Sequence, residues 1–95
     1  MPVEIESITH KALRRFIETG KTKGVMEAGR IQKMITYMLA ISDVEELRIP
    51  PNYGAHELGA DRAGTWALTV TKNWRMTFRV DDEGRIIELD LEDYH

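Results

Sequence analysis

Part-way along this chain the spacing of its apolar residues changes from helical to extended. Ile31, Met34, Ile35, Met38 and Leu39 recur every three or four positions and make one apolar stripe. That stripe predicts a helix from about Met26 to Ala40. A shorter helix precedes it over His10 to Thr19, with Leu13, Phe16 and Ile17 on one face and Gly20 as its stop. From Trp66 onward the period is two. Trp66, Leu68 and Val70 alternate with smaller or polar residues, then Trp74, Met76, Phe78 and Val80, then Ile87, Leu89 and Leu91. Thr71-Lys72-Asn73 and Asp81 to Gly84 read as the turns between these runs. Helices first and strands afterwards give an α+β fold: two N-terminal helices packed on an antiparallel meander of three strands. A short strand over Val3 to Thr9 would open the chain. Ser42 to Asp61 reads as irregular, because Pro50-Pro51 blocks helix and central strand and Gly54 and Gly59 punctuate it.

The chain's 95 residues fit one domain, 1–95. No apolar run approaches the roughly 20 residues that span a membrane. The acidic N-terminus, with Glu4 and Glu6, is unlike a signal peptide. There is no cysteine, so no disulfide or thiolate chemistry, which fits a cytoplasmic protein. Charge is split along the chain. Residues 1–36 carry seven Lys/Arg against four acids (+3), and residues 37–95 carry six against twelve (−6), for a net −3. The split allows a basic surface from Lys11, Arg14, Arg15, Lys21 and Lys23, but the total argues against a general binder of free nucleic acid.

Chemistry concentrates at Asp93-Tyr94-His95, directly after the last strand. A strand would hold that segment still, and histidine is the side chain that titrates near neutral pH. With Trp74, Met76, Phe78 and Val80 facing a core, Arg75, Thr77 and Arg79 point the other way. In a meander the end of the last strand meets the start of the one before it. His95 is therefore expected close to Lys72, Asn73 and Arg75 rather than to Arg79. One strand parity puts Asp93 and His95 on a common side; the other puts Tyr94 there with Glu92.

These groups suffice for RNA cleavage without a metal. The ribose 2′-OH attacks the adjacent phosphorus while a base takes its proton. An acid protonates the leaving 5′-oxygen, and a cation holds the charge that develops on the phosphorane. His95 suits either proton-transfer role, Arg75 can grip a phosphate with two N–H groups, Asp93 can orient the imidazole, and His56 is a second proton-transfer candidate. The blander alternative is that exposed Arg and Thr on a strand are simply solvated, and that His56 is structural. No His pair has metal-ligand spacing, and neither a P-loop nor a dinucleotide fingerprint is present. No cofactor is expected.

Four stretches together resemble the HigB toxins, a branch of the RelE-like bacterial toxin superfamily. They are Ala55-His56-Glu57-Leu58, Asp61-Arg62-Ala63-Gly64-Thr65-Trp66, Asn73-Trp74-Arg75-Met76-Thr77-Phe78 and Glu92-Asp93-Tyr94-His95. The first helix, Gly20 and Lys23-Gly24-Val25 extend the match into the N-terminal half. The resemblance implies a small RelE-like α+β fold and ribosome-dependent, metal-independent cleavage of mRNA in the A site. It also implies neutralisation by a HigA-like helix-turn-helix antitoxin, through which alone the toxin would meet DNA; no membrane partner is implied. By motif, His95, Tyr94, Asp93, Arg75 and His56 match the family's active-site positions, and Asn73 a position near the bound codon. One position departs: where the family has Lys-Gly, this chain has Gly59-Ala60. The absent lysine predicts slower cleavage, or compensation by Arg62 or Arg79. The alternative is a weak homologue that mainly binds the antitoxin and tunes its DNA binding.

Overall fold

The computed structural model describes residues 3–49 and 53–93. Helix α1 spans Lys11–Thr19 and helix α2 spans Ala28–Ala40. His10 caps α1, its Nδ1 accepting from the Leu13 N–H at 3.1 Å. Gly20 ends it in the left-handed region, its N–H donating to the Phe16 carbonyl. Helix α2 starts two residues later than its apolar pattern predicts, because Glu27 sits at φ +50 and breaks the helical path. Its stripe is buried at Ile31, Met34, Ile35 and Met38, whereas Leu39 lies at the edge and is 42% exposed.

Four strands form one antiparallel sheet in the order β1-β2-β3-β4: His56–Glu57, Thr65–Thr69, Trp74–Val80 and Ile86–Asp93. The meander β2-β3-β4 is the one that the alternating runs predict. The fourth strand is not the expected N-terminal one. Ile5 and Ile8 make only isolated parallel bridges to Ile86 and Leu89 on β4. The extra strand is β1, from the stretch read as irregular, where Val44–Arg48 and Ala60–Arg62 also form short 3₁₀ turns. Among the described residues no helix is long and apolar enough to cross a membrane.

The core lies between the helices and one sheet face. Phe78, Leu68, Met76, Leu89 and Leu91 meet Leu13, Ile31, Met34 and Met38, all nearly or fully buried. Trp66 and Phe78, paired across β2 and β3, stack with parallel rings 6.4 Å apart. Trp66 is buried, and Trp74 packs half-buried against the same cluster.

Strand β4 departs from simple alternation. Between Thr77↔Asp90 and Arg79↔Ile87 it carries one residue more than β3. The extra residue is a β-bulge at Glu88, which adopts φ +56. The buried set is therefore Ile86, Leu89 and Leu91, not Ile87, Leu89 and Leu91. Without the bulge, a face starting from Ile86 would turn Glu88, Asp90 and Glu92 into the core. The bulge restores the apolar phase and sends Asp90 and Glu92 to the opposite, outer face.

Candidate functional site

The outer sheet face is set by register. His56, Ala67, Thr77 and Asp90 are successive partners across the four strands, and Thr69, Arg75 and Glu92 form the neighbouring row. Partners in a row share a face. This face was expected to be open. Instead Thr77 is 2% exposed, and the Arg75 side chain only 20%.

Glu92 is the reason. Arg62 forks onto its carboxylate, with Nη1 donating to Oε1 at 2.7 Å and Nη2 to Oε2 at 2.6 Å. The Thr77 hydroxyl donates to Oε2 at 2.6 Å, and Arg75 Nη2 donates to Oε1 at 3.3 Å. The donors come from the loop before β2 and from two positions on β3. The Arg62 hydrogen bonds, helped by those from Thr77 and Arg75, outweigh burial and hold the Glu92 carboxyl down at about 2. Its hydrogen bond to Glu92 in turn raises the Arg62 guanidinium. An open cleft of about 450 Å³ adjoins this network, bordered by Thr77, Arg79, Glu88 and Asp90.

His56 stands on β1, on the same face as Arg75. At about 4.8 Å per strand it is roughly 10 Å from Thr77, backbone to backbone. Its Nδ1 lies 2.8 Å from the Gly54 carbonyl. A carbonyl only accepts, so Nδ1 carries the proton there, and in a neutral ring Nε2 is the basic nitrogen. The backbone bends tightly to achieve this. Tyr53 O accepts from Thr69 N at 2.7 Å, Gly54 sits at φ +69, and a Cβ on it would come 3.0 Å from Thr69 Oγ1. A glycine is what permits that approach.

The other expected residues separate into groups. Arg79 is exposed, beside the cleft, on the same face as Arg75. Lys72 and Asn73 are exposed in the β2–β3 turn, at the end of β3 where Arg75 lies. Asp93 pairs with Trp74 and therefore takes the opposite strand side from Arg75. The realised parity is the one that puts Glu92 with Arg75. Tyr94 and His95 lie outside the described residues. Arg62, named for the place of the missing lysine, has its fork occupied by Glu92.

Sequence reasoning put Thr77 on this face, and Glu92 there in one of two parities, but gave neither a role. The available signal was a carboxylate directly after the apolar strand position Leu91. Its parity, however, rests on a bulge that no residue in the strand announces.

The family model and the curated relative point to the same family. A family model described as "RelE-like toxin of type II toxin-antitoxin system HigB" matches residues 6–95. A protein from Proteus vulgaris named "Endoribonuclease HigB" is 37% identical over 93 residues, covering 96% of this chain and 99% of its own. The toxin–antitoxin complex RelBE2 from Mycobacterium tuberculosis contains a chain of similar outline, with 19% identity and a TM-score of 0.48 over 98% of this chain and 99% of that one.

Proposed function

This chain belongs to the HigB-like family of RelE-like toxins from type II toxin–antitoxin systems, and from that membership we propose that it is an endoribonuclease that cuts mRNA in the ribosomal A site. The observation that carries the assignment to a particular surface is the outer sheet face. It gathers Arg75, Thr77, Arg79 and His56, with β4 held at Glu92 immediately before Asp93-Tyr94-His95.

The chemistry follows from these groups. Arg75 faces the scissile phosphate and offsets the charge that grows on its oxygens. One imidazole, His56 Nε2 or His95, takes the 2′-OH proton as the O2′–P bond forms. The other protonates the 5′-oxygen as the P–O5′ bond breaks, leaving a 2′,3′-cyclic phosphate on one fragment. Tyr94 and Asp93 match the family pattern beside His95, Asp93 as its orienting carboxylate. Lys72, Asn73 and Arg79 contact the flanking RNA. No metal is required, since protons and charge are handled by side chains.

Dependence on the ribosome fits the charge of the site. The cleft beside Glu92 is bordered by Asp61, Glu88, Asp90 and Glu92 against Arg62 and Arg79. Such a surface does not hold free RNA strongly, so the ribosome supplies the positioning. A toxin of this class is paired with an antitoxin; we take the partner to be a HigA-like helix-turn-helix protein, which carries the DNA contact, and the setting to be the cytoplasm. The same acidic border supports the second reading, a slow enzyme whose main role is to engage the antitoxin. Primer extension on mRNA with and without ribosomes decides between them. Cuts that require ribosomes support the nuclease; an absence of cuts at stoichiometric toxin supports the binding module.

A further inference from the structure

Four donor atoms from three residues converge on the Glu92 carboxylate, and they do so unequally. Arg62 supplies two contacts at 2.6 and 2.7 Å, and Thr77 one at 2.6 Å. Arg75 supplies a single Nη2 contact at 3.3 Å. The fork from Arg62 matches the carboxylate in charge and shape, which is the strong form of this pair. Arg62 therefore does most of the balancing of Glu92, and Arg75 the least. What Glu92 gives Arg75 is direction. The pairing Arg75↔Glu92 sets the two backbones side by side, and the buried Thr77 hydroxyl fixes the carboxylate two residues further along β3.

We propose that Glu92 is a positioning residue for RNA cleavage: neutralised by Arg62 and braced by Thr77, its carboxylate holds the Arg75 guanidinium in the orientation that meets the scissile phosphate. The inference rests on the nuclease reading above and deepens it. It assigns Arg62 to the support of the site rather than to the phosphate. It also gives the Glu88 bulge a purpose, since the bulge is what brings Glu92 to this face. The simpler alternative is an ion pair that ties the 60–62 turn to the sheet and nothing more.

The test compares wild type, Glu92→Gln, Arg75→Lys, the double variant, and Arg85→Met as a control. Arg85 pairs with Asp81 and Glu6 at the other end of the sheet. Cleavage is followed on ribosomes programmed with one mRNA, over a range of complex concentration. Glu92→Gln is expected to lower kcat by ten- to a hundredfold with KM within about threefold, as a displaced charge does. The double variant should be no slower than Arg75→Lys alone, and Arg85→Met should keep wild-type kcat. A wild-type kcat in Glu92→Gln, or losses that multiply in the double variant, would overturn the proposal. A second readout does not need activity: the Arg75 side-chain N–H resonance in NMR spectra of the folded variants. It should shift or broaden in Glu92→Gln and stay put in Arg85→Met. If the wild type cuts no RNA, the nuclease reading falls, and the resonance alone judges Glu92: an unmoved signal refutes its hold on Arg75, and a moved one sustains it.

Discussion

A single carboxylate organises the outer face, and its behaviour with pH is the first consequence. The folded Glu92 carboxyl titrates at about 2, against an ordinary 4.5. Its ionised form therefore stabilises the fold above about pH 4.5, and that contribution fades as pH falls toward 2. The full shift would be worth about 3.4 kcal/mol at 1.36 kcal/mol per unit. Arg62 is 39% exposed, so water screens the pair and about 1–2 kcal/mol is the expected share. Urea unfolding of wild type and Glu92→Gln should differ by that amount at pH 7 and converge at about pH 2 and below. A gap that stays constant with pH would mean that the ionised network is not its source. Thr77→Val removes one donor from a carboxylate that remains in place, and should cost about 1–2 kcal/mol at pH 7 by the same measurement.

The elements show which parts of this were legible in the sequence. Both helices follow from their apolar stripes, and the meander from its alternation, because burial on one face leaves a period that composition cannot hide. Strand β1 did not show, since two residues between Gly54 and Gly59 carry no period at all. The row Arg75↔Glu92 did not show either. Carried down from Val80↔Ile86 without a bulge, the register would set Arg75 opposite Leu91, and the acid would vanish from the site. Glu88 is where this is decided, and a non-glycine residue at φ +56 is strained by about 1 kcal/mol. Glu88→Gly should therefore be neutral or mildly stabilising in denaturant unfolding. Glu88→Val, β-branched in the same conformation, should lose about 1–2 kcal/mol. Equal stability of the two would contradict a bulge at this residue.

At the scale of the molecule, the departure at Gly59 links family membership to the outer face. Gly59 adopts an ordinary φ of −101, and a Cβ built there meets nothing within 4 Å. A lysine fits without strain. Gly59→Lys should preserve folding and raise the cleavage rate by tenfold or more, as an added cation at a site of developing charge does; an unchanged rate would show that the chain compensates elsewhere. Arg79, exposed beside the cleft while Arg62 is tied to Glu92, is the first candidate for such compensation. The charge split along the chain has a matching arrangement in the fold. Lys11, Arg14, Arg15, Lys21 and Lys23 are all exposed on α1 and the loop after it, while the nuclease chemistry is assigned to the opposite side of the sheet from the helices. Primer extension on ribosomes with Arg75→Ala, His95→Ala and Lys21→Ala separates the two surfaces directly. Loss of cuts in the first two, with the pattern kept in Lys21→Ala, is the result expected of an outer-face nuclease. Cuts that persist in Arg75→Ala would remove the chemistry from that face.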